Sequence, residues 1–170
     1  IEPIPLLLSR AGYCTALGCG LSKKTDQNFT NKLGFTANNW FQRKPGQPFF
    51  AQATEATTHR TWKRDEENPI DENDVELTPY YPDTPLIRRD WANGLEQLQL
   101  ADKTIGKMLQ KLDEDGLRDN TLVILIGDNG RCMPRGKQFL YDGGISIPLL
   151  MRWPGHIKPG TVCDDLVNTL

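Results

Sequence analysis

The sequence predicts an α/β fold: a mixed, largely parallel sheet with flanking helices. Three observations carry that prediction. The run Thr121–Ile126 is apolar and partly β-branched throughout. It has the length of a strand and is too uniformly apolar for one with a wet face, so it suits a sheet covered on both sides. Upstream, Trp91, Leu95, Leu98, Ala101, Ile105, Met108, Leu109 and Leu112 recur at spacings of three and four, which predicts an amphipathic helix over 90–112. Helix, a stop at Gly116 and strand then follow in direct succession, the order of an α/β unit.

From the N-terminus, Ile4–Arg10 is a short apolar segment closed by Ala11-Gly12, read as the last turns of a helix with Gly as its stop. Tyr13–Leu17 reads as a strand broken by Gly18-Cys19-Gly20. The polar loop Ser22–Phe29 follows, and its Lys24 and Asp26 either line a site or face solvent. Residues 34–46 read as irregular, with Trp40 and Phe41 expected to pack against the body. Pro48–Ala53 is the next strand. It runs into Thr57-Thr58-His59, although a single His is more often a hydrogen-bonded structural residue than a catalyst.

Lys63–Asp83 carries Pro69, Pro79 and Pro82 and cannot be one regular element, so it is expected to be a long surface excursion. Within it, Val75-Glu76-Leu77 could form a brief edge strand, and Tyr80 and Tyr81 rest on the core or rim a substrate site. The acids and lysines of helix 90–112 are expected on its wet outer face; Gly94 and Gly106 each weaken it by about 1 kcal/mol relative to Ala. Ile147–Trp153 is a further buried strand, with Pro148 at its start where no ladder donor is needed and Pro154-Gly155 as its end. His156 and Lys158 are expected to be exposed.

The central strand ends in Gly127-Asp128-Asn129-Gly130, where ligands collect in open α/β sheets. Asp128 and Asn129 are hard oxygen donors of the type Ca²⁺ or Mg²⁺ selects, and Lys137 follows eight residues after Asn129. A divalent cation plus an ammonium would make a pocket for an anionic ester. From the tetrapeptide alone, an ordinary turn is the more frequent explanation.

With 170 residues, the length suggests one domain or part of a larger one. The 38% hydrophobic and 25% charged content is that of a soluble globular protein, and a net charge of −2 without a basic block argues against nucleic-acid binding. No apolar stretch reaches a membrane-spanning length, so no membrane insertion is expected. The chain opens Ile1-Glu2-Pro3 without Met or a basic leader, as an excised segment would. Cys14, Cys19, Cys132 and Cys163 lack paired C-x-x-C spacing and are expected as buried or free thiols.

Gly127-Asp128-Asn129-Gly130, Pro134-Arg135-Gly136-Lys137, Leu140-Tyr141-Asp142-Gly143-Gly144-Ile145-Ser146-Ile147-Pro148-Leu149 and Arg152-Trp153-Pro154-Gly155 form a set of linked motifs. Together they resemble the type I sulfatases of the alkaline-phosphatase superfamily. Ala101–Gly106, the Asp119-Asn120-Thr121 approach to the strand, Ala11–Leu17, and Phe49-Phe50-Ala51 with Thr57-Thr58-His59 match in colinear order. The resemblance covers nearly the whole chain and implies that residues 1–170 are a partial catalytic domain of alkaline-phosphatase-like fold.

The resemblance implies that Asp128 and Asn129 bind the divalent cation, usually Ca²⁺. Lys137 and His59 would contact the sulfate, His59 also donating to the ester oxygen. Lys24 would match the lysine of the family's Lys-x-His element, with Asp26 standing where His is usual. The family nucleophile is a formylglycine made within C-x-P-S-R. Cys132-Met133-Pro134-Arg135-Gly136 shares only its Cys and Pro and lies in the lysine loop, so it is not read as that motif. The nucleophile, the paired aspartates that complete the metal site and the C-terminal subdomain are expected outside these residues, and the isolated segment is expected to be inactive.

The activity implied is hydrolysis of a sulfate monoester or sulfamate on a sulfated small molecule or glycan. The alternatives are a phosphatase or phosphonate monoester hydrolase of the same superfamily, or an inactive partial protein. Members of the family are often secreted, periplasmic or lysosomal, but the compartment of this chain is not legible in its sequence.

Overall fold

The computed structural model describes residues 2–25 and 33–167, so Asp26 lies outside the described residues. The chain divides between Thr57 and Thr58 into two compact units.

In the first unit, α1 (Ile4–Arg10) carries Pro5 in its first turn, where no backbone donor is needed. Beyond it Gly12 adopts a φ of 91°, which a side chain would resist, and the chain turns into β1 (Cys14–Leu17). Cys14, Thr15 and Ala16 are 5, 0 and 0% exposed, so this strand is the centre of the unit. It pairs in parallel with β2 (Phe49–Gln52), Cys14 opposite Phe49 and Leu17 opposite Gln52. Parallel neighbours require a crossover, and the 3₁₀ turn Trp40–Gln42 in this one places buried Trp40 against Phe49, ring centroids 6.3 Å apart. Phe41, expected to pack beside it, is exposed instead. A three-residue turn sends successive side chains about 120° apart, so adjacent aromatics cannot both face inward.

In the second unit, α2 (Pro85–Glu114) begins at a Thr84 cap whose hydroxyl accepts from the Ile87 N–H at 3.3 Å, with Pro85 at the first turn. It thus starts a turn before the apolar pattern. The core joins Val75, Tyr81, Trp91, Ala92 and Met133, with Trp62, Ile70, Leu77, Ile87 and Leu95 packed against it. Leu98 is exposed, whereas Glu96 and Gln97 are buried at 1 and 2% exposure. The expectation that the helix's charged groups form a wet outer face therefore fails at Glu96.

The reason is that the 63–83 excursion lies along the helix and is tied down by its polar side chains. The Glu96 carboxylate accepts the N–H groups of Asp65 at 2.7 Å and Ile70 at 2.8 Å. The Gln97 amide donates to the Lys63 carbonyl. The Arg88 guanidinium grips Asp83 with two nitrogens and donates to the carbonyls of Glu72 and Val75, each at 3.2 Å. Arg89 pairs with Glu72 at 3.1 Å, and Lys103 reaches the buried Asp65 at 3.3 Å. Burial pushes the Asp65 carboxyl upward, but Lys103 and the N–H groups of Asn68 and Glu67 outweigh it and hold the group below the usual carboxylate range. Val75-Glu76-Leu77 forms no strand; Val75 enters the core instead.

Beyond α2, β3 (Val123–Ile126) pairs antiparallel with β4 (Leu149–Arg152), Val123 opposite Arg152 and Ile126 opposite Leu149. The fold is mixed α/β, but its described strands form one parallel and one antiparallel pair, not one largely parallel sheet. Nor is β3 covered on both faces: Ile124, Leu125 and Ile126 are 50, 38 and 42% exposed. Among the described residues it has a partner on one edge only. Beyond β4, His156 is exposed as expected and stacks on Trp153, centroids 4.0 Å apart. No helix among the described residues is long and apolar enough to cross a membrane.

Candidate active site

One further rung extends the β3–β4 ladder, the Gly127 N–H donating to the Pro148 carbonyl at 3.0 Å, and Asp128 and Asn129 follow at once. The chain then folds into a loop held almost wholly by its own backbone. Gly130 N–H donates to the Gly144 carbonyl at 3.1 Å, and the N–H groups of Met133 and Lys137 both donate to the Arg131 carbonyl, at 2.8 and 2.9 Å. Gly136 N–H meets the Met133 carbonyl at 2.9 Å and Phe139 N–H the Gly136 carbonyl at 3.1 Å. The segments approach so closely that a Cβ on Gly130 would lie 1.8 Å from the Gly143 carbonyl oxygen, and one on Gly144 would lie 2.0 Å from that of Phe139. The short helix α3 (Asp142–Ile145) closes the loop. Met133 anchors it in the core beside Tyr81 and Trp91, and the Tyr81 hydroxyl donates to the Pro134 carbonyl.

Backbone closure leaves the loop's side chains unengaged. Asp128 is exposed, and Asn129 and Lys137 are half-buried. Among the described residues none of the three side chains has a hydrogen-bond or ion-pair partner. All three are open to solvent, so their polar ends are available to a ligand.

His59 is brought to this loop through its neighbour. Arg60 Nε donates to the Cys132 carbonyl at 2.7 Å, while its two terminal nitrogens hold Asp90 of α2 at 2.9 and 2.5 Å. The guanidinium lies over the Trp62 ring, 4.0 Å from its centroid, and Trp62 Nε1 donates to the Thr58 carbonyl at 2.9 Å. Arg60 therefore fastens the turn carrying His59 to both α2 and the lysine loop. His59 is exposed, with Nδ1 2.6 Å from the Arg60 carbonyl oxygen. A carbonyl only accepts, so Nδ1 carries the hydrogen and Nε2 is the free, outward nitrogen, a proton donor only as imidazolium.

Lys24, Asp128, Asn129, Lys137 and His59 do not all fall in one unit. Lys24, exposed, belongs to the first, where its carbonyl accepts from the Thr54 hydroxyl at 2.5 Å; the other four belong to the second. Nor do His59 and Asp128 follow strands of one sheet, since β2 and β3 lie in different pairs. Arg60 and Asp90 escape sequence reasoning because an Arg after a His and an Asp early in a helix are each commonplace, and thirty residues separate them.

Adjacent carboxylate and amide oxygens at a strand end fit a hard cation in donor chemistry. They are only part of a shell, since Ca²⁺ takes about six to eight oxygens. No group of three His, Cys, Asp or Glu side chains gathers among the described residues. The four cysteines are free; Cys14 and Cys19 are buried, Cys132 half-buried and Cys163 exposed. Burial pushes the Cys19 thiol up, which keeps it protonated and inert.

The family model of sulfatases matches residues 11–169. A sulphohydrolase of Homo sapiens named for N-sulphoglucosamine is 36% identical across 100% of this chain and 42% of its own length. An ulvan-active sulfatase of Formosa agariphila is 27% identical across 95% of this chain and 34% of its own length. Arylsulfatase A of Homo sapiens is 34% identical over 44% of this chain. The chain thus spans well under half the length of these relatives. With the match running nearly end to end through the strand-end aspartate and the lysine loop, the chain belongs to the sulfatase family.

Proposed function

We propose that the protein containing this chain hydrolyses a sulfate monoester or sulfamate, and that the loop of residues 127–144 and the His59 turn form part of its active site. The observation that carries the reading is the loop of residues 127–144, closed by its own backbone with Asp128, Asn129 and Lys137 left unpartnered and the His59 turn fastened beside it by Arg60. Lys137 holds sulfate oxygens and offsets the charge that grows on them as the ester bond breaks. His59, as imidazolium, passes the proton on Nε2 to the departing ester oxygen. A role for Lys24 rests on its place in the family pattern alone. Asp128 and Asn129 supply two oxygens for a divalent cation, Ca²⁺ or Mg²⁺, which when bound polarises the sulfate and orients the nucleophile.

The nucleophile, expected as a formylglycine, has no counterpart motif among these 170 residues. Residues 1–170 therefore act as part of a catalytic domain, and on their own give no turnover. The named reactions of the relatives support a sulfated small molecule or glycan as substrate.

The test is hydrolysis by the full-length protein of p-nitrophenyl sulfate, a sulfamate and p-nitrophenyl phosphate side by side. Turnover of a sulfate or sulfamate that collapses in Lys137→Ala supports the reading. Preference for the phosphate, or sulfate turnover indifferent to Lys137, sinks it.

A further inference from the structure

The lysine loop carries a second cation that the reaction above does not use. Arg135 stands two residues before Lys137 and is exposed, with no ion-pair partner among the described residues. Its guanidinium carbon lies 5.2 Å from the centroid of the Tyr80 ring and 5.1 Å from that of Tyr141. Its backbone φ is 62°, the left-handed region that a long side chain adopts only when its surroundings impose it. Tyr80 comes from the far end of the 63–83 excursion and packs at a tilt against Tyr81, ring centroids 4.7 Å apart; the hydroxyl of Tyr81 is bound to this loop. Tyr80, Tyr141 and Phe139 are 44, 52 and 50% exposed, an aromatic surface around the cation.

Five arginines of the second unit are held by carboxylates: Arg60 by Asp90, Arg88 by Asp83, Arg89 by Glu72, and Arg118 and Arg152 by Asp113. Arg131 lies over the core ring of Trp91, 4.1 Å from its centroid, whereas Arg135 lies between two exposed rings, which leave the N–H edge of its fork free. That edge matches a sulfate or carboxylate with paired hydrogen bonds, and the flanking aromatic faces suit the C–H face of a sugar ring. Two residues apart, the backbones at Arg135 and Lys137 lie within about 7 Å, a separation that one sugar unit or its neighbour spans.

We infer that Arg135, framed by Tyr80 and Tyr141, is a binding subsite for a second anionic group on the substrate, which is therefore a saccharide carrying at least two sulfate or carboxylate groups. The inference rests on the sulfatase reading of Lys137 and names what that site selects. The excursion then has a functional reason to be strapped so firmly to α2: it holds Tyr80 in place.

The experiment measures kcat/KM of the full-length protein on a disulfated disaccharide and on its monosulfated counterpart, for the natural sequence, Arg135→Gly and Arg135→Lys. Glycine adopts the positive φ without strain and removes only the cation. The expected result is a preference for the disulfated substrate that falls about tenfold in Arg135→Gly, the worth of one charge-assisted hydrogen-bonded contact, with the change in KM, and that recovers in part in Arg135→Lys. Equal loss on both substrates, or an unchanged ratio, overturns the subsite while leaving the sulfatase reading intact. A natural protein that hydrolyses neither substrate overturns both.

Discussion

Two long irregular segments of the second unit, residues 63–83 and 127–147, solve the same physical problem in opposite ways. Each must order a stretch of chain without regular structure and satisfy its backbone. The first does so with side chains: Glu96, Gln97, Arg88 and Arg89 reach out from α2 and take up its N–H and carbonyl groups. The second does so with its own main chain, turn upon turn, and with glycines that let strands of backbone touch. In the first segment Asp65, Glu67, Glu72 and Asp83 are paired with cations of α2. The second keeps Asp128, Asn129, Arg135 and Lys137 unpaired among the described residues. A segment whose polar side chains are engaged in holding it is scaffold; one held without them is free to present them.

The sharpest way to break this contrast is Lys137→Ala in the full-length protein. On the proposed function, kcat is expected to fall about 10³-fold, while the thermal unfolding curve stays where it was. A stability loss without a rate loss would put Lys137 among the structural residues. Glu96→Ala makes the opposite test. It strands two buried N–H groups that a carboxylate had satisfied, and a cost of about 3 kcal/mol in chemical denaturation is expected. The same excursion should become protease-sensitive near Lys63 and Arg64. A neutral result would mean the excursion is held by its apolar contacts alone.

Arg60 belongs to both regimes, since it holds backbone and also aims His59. Arg60→Ala is expected to lower kcat/KM by about 30-fold through misplacement of the turn. Arg60→Lys should restore little of it, because one ammonium cannot serve Asp90 and the Cys132 carbonyl together. The smallest effect concerns Asp65. Its folded carboxyl titrates below its unfolded value, so its contribution is complete above the ordinary carboxylate range of about pH 4 and fades as pH falls further. Denaturation midpoints of the natural protein and Asp65→Asn should converge on acidification below that range. Parallel curves would remove Lys103–Asp65 from the clamp.

Much of the frame was legible in the sequence. Strands around Thr15, Phe50, Leu125 and Leu150, and the helix through Trp91 and Leu112, follow from local periodicity, and each forms where the pattern lies. The lysine loop was legible through its motif, because glycines and Pro134 mark a shape as well as a chemistry. What stayed hidden has long-range causes. Glu96 sits among helix residues that read as solvent-facing, and its partners lie 31 and 26 residues back in a segment with no pattern of its own. Arg60 and Asp90 look ordinary until they meet. The β3 run was read as fully covered because its composition asks for neighbours on every side, and the described residues supply β4 alone.

The contacts at Gly130 and Gly144, where no atom beyond hydrogen fits, carry a consequence for how such a protein diversifies. Because a side chain at either glycine would have to displace backbone, substitutions that keep the loop's shape are confined to outward positions such as Arg131, Arg135 and Gln138. The side chains presented beside Lys137 can then change while the backbone that carries it keeps its shape.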